Sequence, residues 1–93
     1  MKIYFKHSTQ CPVSARAKME VDSFLKTKPA DIEFELIDVI SNRSRSNDIA
    51  RQLDVEHESP QVILIDDQNK VLWTASHRRV TEENINEAIR ENS

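Results

Sequence analysis

The chain is predicted to fold as one α/β domain, a four-stranded mixed sheet with helices on both faces in the order β-α-β-α-β-β-α. Three observations carry that expectation. Two short strand-like runs, residues 2–6 and 32–39, flank a long segment with helical periodicity, and strands joined by a crossover helix run parallel. A nearly continuous β-branched run, Val62-Ile63-Leu64-Ile65, is followed after a short polar turn by Val71-Leu72-Trp73-Thr74-Ala75, the pattern of an antiparallel hairpin. The 93 residues, 38% of them apolar, supply one core spanning residues 1–93 and leave no material for a second.

Each element has a local cause. In the first run Ile3 and Phe5 alternate with polar neighbours. Pro12 suits the first position of a helix, which makes Cys11 the expected N-cap. Over residues 14–28, Ala17, Val21, Phe24 and Leu25 recur at helical spacing, and Pro29 ends the helix. The second strand, residues 32–39, has period two and then becomes more apolar. Residues 41–46 form a polar, basic connection, and Ser46 or Asn47 is expected to cap a second helix carrying Ile49, Ala50, Leu53 and Val55. Residues 56–61 are a loop containing Ser59-Pro60, and the β-branched run after it has the composition of a central strand buried on both faces. Thr81-Glu82-Glu83-Asn84 starts the last helix, whose stripe is Ile85, Ala88 and Ile89, and Trp73 is expected to pack on the sheet. There is no glycine, so turns that need a positive φ must use Asn or Asp, with Asp67-Gln68-Asn69-Lys70 the clearest case.

Charge and composition exclude several classes. A formal net charge of −3 does not favour generic nucleic-acid binding. No apolar stretch approaches the roughly 20 residues of a membrane span, and the first residues lack the cleavage pattern of a secretion signal. A lone cysteine fits a reducing compartment, so a cytoplasmic location is expected. One cysteine and no close histidine pair give a metal site little support.

The chemistry concentrates at Cys11. It stands in His7-Ser8-Thr9-Gln10-Cys11-Pro12-Val13-Ser14, between a strand and a helix. A helix N-terminus stabilises a thiolate through its free amides, here expected from Val13 and Ser14, and through its dipole. Lys6, His7 and Arg16 are close enough in sequence to add positive charge. An ordinary thiol, with a pKa of about 8.5, is only a few per cent ionised at neutral pH, so this stabilisation matters. The spacing is Cys-x-x-Ser, a dithiol redox motif whose second sulfur is replaced by oxygen. Ser14 can hydrogen-bond the Cys11 thiolate but cannot expel a thiol bound to it, so a resolving sulfur must come from another molecule.

The element order is that of the thioredoxin-like fold, and the chain resembles the YtxJ-like family of monothiol bacilliredoxins. The resemblance rests on Phe5-Lys6-His7-Ser8-Thr9-Gln10-Cys11-Pro12-Val13-Ser14, on Glu58-Ser59-Pro60-Gln61, and on Trp73-Thr74-Ala75-Ser76-His77. It implies a cytoplasmic thiol–disulfide oxidoreductase, active in the thiol stress response, that removes bacillithiol from mixed disulfides on client proteins. Cys11 would be the nucleophile and Ser14 its tuning partner. Bacillithiol would be a co-substrate, with no resident cofactor. Pro12 and Val13 would border the small-thiol groove. Pro60 would be a cis-proline beside the active cysteine, with the backbone of Ser59 available to the bound thiol. His77, after the fourth strand, would flank the groove, and Arg78 with Arg79 would offer donors to the malate carboxylates of bacillithiol. His7 and His57 are expected to be polar loop residues.

Two other readings start from the same residues. One is a thioredoxin-fold adaptor or redox sensor whose Cys11 is only reversibly modified. The other is a glutathione-linked monothiol glutaredoxin with an iron–sulfur cluster, which the absence of glycine disfavours.

Overall fold

A helix on each side of a central strand pair organises the chain. The computed structural model describes residues 1–9 and 12–93. Its elements are β1 (Lys2–His7), α1 (Pro12–Leu25), β2 (Glu33–Asp38), α2 (Arg43–Leu53), β3 (Gln61–Ile65), β4 (Val71–Ser76), a 3₁₀ turn (His77–Arg79) and α3 (Glu82–Glu91). The sheet order is β2-β1-β3-β4, with β1 and β2 parallel and the other two pairings antiparallel. β1 and β3 are therefore central, and every residue of β3 is buried, as its β-branched composition predicts.

Two apolar clusters result. Ile3 and Phe5 of β1 pack with Ala17, Val21 and Phe24 of α1, Val62 and Leu64 of β3, and Ile85, Ala88 and Ile89 of α3. Trp73 is half-buried against this cluster. On the opposite face Tyr4, Ile37, Ile49, Ile63 and Ile65 form a smaller cluster beneath α2, with Leu53, Val55 and Val71 at its margin.

The helix ends depart from expectation in two places. α1 stops at Leu25, and the amides of Lys26 and Thr27 fold back onto the carbonyls of Ser23 and Phe24 in a tightened last turn. α2 starts at Arg43, ahead of the expected Ser46 or Asn47 cap. Its N-cap is Asn42, whose side chain makes no cap bond. The Asp38 carboxylate instead receives the amides of Ile40 (2.9 Å) and Ser41 (3.2 Å), and the Asp38 carbonyl receives that of Asn42 (2.8 Å). Those backbone bonds hold the Asp38 carboxyl below its ordinary pKa, the Ile40 amide most of all. Ser46 is a buried helical residue, 1% exposed. Val55 lies past the helix: Asp54 turns left-handed (φ 53°), and the Val55 amide bonds the Ala50 carbonyl at 3.0 Å to close the C-terminus.

Positive φ falls on Asp54, Asn69 (64°) and His77 (56°). Asn69 lies in the expected turn, where the Asp66 carboxylate accepts the amides of Gln68 and Lys70. His77 is neither Asn nor Asp and departs from the expectation. Thr81 caps α3 as expected, its hydroxyl accepting the Asn84 amide at 3.1 Å. Among the described residues no helix is long and apolar enough to cross a membrane.

Candidate functional site

The link between β1 and α1 is anchored from below. Ser14, in the first turn of α1, is fully buried, and its Oγ accepts the Ser8 amide at 3.3 Å. That bond ties the segment leaving β1 to the start of the helix. Cys11, the expected nucleophile and N-cap, lies outside the described residues. In sequence it immediately precedes Pro12, the first residue of α1.

Pro12, Val13, Arg16 and Arg78 line one cavity of about 370 Å³. Neither arginine forms an ion pair among the described residues, and no acidic residue lines the cavity. Both guanidiniums are exposed. The hollow thus offers two free cationic forks and a short apolar wall, suited to the carboxylates of a small molecule.

A second group of expected residues is drawn together at the end of the β3–β4 ladder. The Ser59–Pro60 peptide bond is cis, as expected. The Pro60 carbonyl accepts the His77 amide at 2.9 Å, one step beyond the Gln61–Ser76 pair. Glu58 reinforces the junction: its carboxylate accepts the Ser76 hydroxyl and stands 3.7 Å from His77 Nε2. Pro60 is buried, and Ser59 Oγ is buried without a hydrogen-bond partner among the described residues. Ser59, Pro60 and His77 do not line the Arg16–Arg78 cavity; Arg78, next to His77, joins the two groups. Arg79 lines a different hollow, with Trp73, Asn84 and Glu87. Glu58 enters the sequence pattern only as part of Glu58-Ser59-Pro60-Gln61, with no role of its own; its place directly before Ser59-Pro60 is the signal for one.

The other arginines divide by partner. Arg45 makes a two-pronged bond to Glu35 (2.9 and 3.0 Å), which also receives Lys2, and Arg51 pairs with Asp48. The Arg45 fork, ahead of Lys2, holds the Glu35 carboxyl below its ordinary range. Arg43 has no ion pair among the described residues.

Two basic residues at the end of β1 are buried on opposite faces. His7 is 8% exposed, stacks 5.7 Å from Phe5, and keeps its Nδ1 without a partner, so it is a strand residue and not the loop residue expected. Lys6 is fully buried, and its Nζ reaches the Ser46 carbonyl (3.0 Å) and His57 Nδ1 (3.2 Å). His57 sits in its loop as expected, turned to Lys6 and Ser46. Burial lowers the Lys6 pKa. Burial, then Lys6 and Arg43, lowers that of His57.

Comparisons with known proteins agree with this architecture. One solved structure, a thioredoxin-fold protein described as a candidate oxidoreductase, superposes with a TM-score of 0.84 at 28% identity, over 95% of this chain and 76% of its own. Thioredoxin 1 from Thermosipho africanus gives 0.72 at 25% identity, over 99% and 93% of the two chains. Fasciola hepatica thioredoxin, at 21% identity and a TM-score of 0.72 over 99% and 80%, shares the fold. The family model described as monothiol bacilliredoxin BrxC matches residues 1–85. That match takes in the lone-cysteine motif, the Ser59-Pro60 junction and the basic turn after β4, and on it this chain belongs to the monothiol bacilliredoxins of the BrxC family.

Proposed function

We propose that the protein is a cytoplasmic thiol–disulfide oxidoreductase that strips bacillithiol from client proteins by a monothiol route. The Cys11 thiolate attacks the bacillithiol sulfur of a client–S–S–bacillithiol disulfide. A Cys11–S–S–bacillithiol bond forms, and the client sulfur leaves as a thiolate and takes up a proton. A second small thiol, as its thiolate, then attacks the bacillithiol sulfur. Cys11 is released reduced, and the oxidising equivalent leaves as a disulfide between two small thiols. The resolving thiol is external because Cys11 is the only cysteine.

The observation that carries this reading is the cavity of Pro12, Val13, Arg16 and Arg78, which opens at the helix start directly after Cys11 in sequence. Its two unpaired guanidiniums suit the malate carboxylates of bacillithiol. Pro12 and Val13 border the bound thiol, Arg78 holds a carboxylate, and the Ser59–Pro60 and His77 junction forms the neighbouring wall. Ser14 has two roles: it fixes the Ser8 amide, and it occupies the position from which a second thiol would otherwise resolve the adduct.

Incubation with a bacillithiolated client, followed by intact mass, tests the mechanism. The expected result is a bacillithiol adduct on Cys11 that excess bacillithiol discharges over repeated turnovers and that Cys11→Ser abolishes. A single adduct that accumulates and stops would leave a sensor in place of the enzyme. A glutathionylated client run in parallel reads the choice of small thiol.

A further inference from the structure

We propose that the hollow lined by Val39, Ile40, Arg43, Ser46, Asn47 and His57, beside the start of α2, is a binding site for a small carboxylate. Its volume is about 340 Å³. It lies on the α2 side of the sheet and, among the described residues, shares no lining residue with the Arg16–Arg78 cavity.

The first observation is Lys6. Its side chain is fully buried, yet no carboxylate pairs with it among the described residues. Buried charges in folded proteins are as a rule paired, because uncompensated burial is costly. Among the described residues the partners of Lys6 are neutral, the Ser46 carbonyl and His57 Nδ1. Both of those residues line the hollow. The side-chain amide oxygen (Oε1) of Gln61, the residue paired with Lys6 across β1 and β3, is also buried and has no partner among the described residues.

The second observation is the state this imposes on His57. Lys6 Nζ and Ser46 Oγ both approach Nδ1 at 3.2 Å. Two donors converging on one ring nitrogen make it the acceptor, which places the ring proton on Nε2. His57 is exposed, so this N–H is free to bind.

Arg43 supplies the third. The neighbouring arginines of α2 are neutralised, Arg45 by Glu35 and Arg51 by Asp48, whereas Arg43 is exposed and unpaired on the hollow. No acidic residue lines it. Among the described residues the charged groups facing His57 are Lys6, Arg43 and Glu58, two positive against one negative. One planar fork, one imidazole N–H and the Asn47 amide match a single carboxylate, and Val39 with the partly exposed Ile40 gives its alkyl end an apolar wall.

The test is an NMR titration of isotope-labelled protein with potassium butyrate, with potassium chloride and potassium phosphate at matched ionic strength. Butyrate is expected to shift the signals of Arg43, Ser46, Asn47 and His57 saturably. Arg43→Gln, an exposed change that leaves the core intact, weakens binding about tenfold, the loss of one charge-assisted hydrogen bond. Shifts that never saturate, that chloride reproduces, or that persist unchanged in Arg43→Gln would overturn the site. Tighter saturation by phosphate would overturn the carboxylate assignment. The readout does not involve Cys11, so its outcome is separate from that of the thiol chemistry.

Discussion

The two faces of the sheet are built differently. Against α1 and α3 the cover is broad and apolar, with Phe5 and Phe24 at its centre. Against α2 it is small, five buried residues, and toward the carboxyl end of β1 it gives way to Lys6, Ser46 and His57. The contrast is sharpest in adjacent residues: Lys6 turns under one face and His7 under the other. The first face holds the fold together, and the second trades packing for buried polarity at the end of the sheet from which the Cys11 segment departs.

The largest effect that can break this contrast is Phe24→Ala. Phe24 is 0% exposed, and its truncation is expected to lower stability by about 3–5 kcal/mol in urea unfolding. Ile49→Ala on the α2 face, expected toward the lower end of about 2–5 kcal/mol, is the comparison, read per carbon removed. Equal losses would show that the two faces share the stability evenly. Next comes Lys6→Met. Removing a buried charge that has no counter-ion among the described residues outweighs the loss of two neutral hydrogen bonds, so the variant is expected to gain about 1 kcal/mol or more. A loss of stability would make the buried ammonium a structural asset.

The smallest effect is a pH dependence in two limbs. His57 has a folded pKa below its ordinary 6.5, so the unfolded chain binds more protons in that window. Stability present above 6.5 is therefore lost as the pH falls through the folded value. Glu35, held below 4.5 by Arg45, loses its contribution only at lower pH. Urea midpoints across pH are expected to show both limbs, with His57→Gln removing the first alone. A single limb in the wild-type chain would detach His57 from the α2-face cluster.

Much of this arrangement was legible in the chain itself. The strand runs, the Pro12 helix start, the Thr81 cap and the hairpin turn each rest on local chemistry, and each lies within a residue or two of its expected place. The first turn of α2 was not legible, because Arg43-Ser44-Arg45-Ser46 carries no apolar residue. Its backbone is set by Asp38 and its side chains by Glu35, a tertiary contact. The burial of Lys6 was hidden for a related reason. Alternation along β1 separates two faces but cannot say that both are covered. At the candidate site the motif around Cys11 and Pro12 and the Ser59-Pro60 junction were legible. The pairing of Arg16 with Arg78 in one cavity was not, because it depends on how α1 and the turn after β4 approach each other.

One feature of that turn bears on kinetics. His77 occupies a left-handed backbone conformation, at a cost of about 1–3 kcal/mol, and its amide is held by the Pro60 carbonyl while the Glu58 carboxylate stands 3.7 Å from its ring. The rim beside Arg78 is thus shaped before any visitor arrives. A small thiol docking there as proposed would meet a surface already arranged, and its capture would be governed by encounter and alignment.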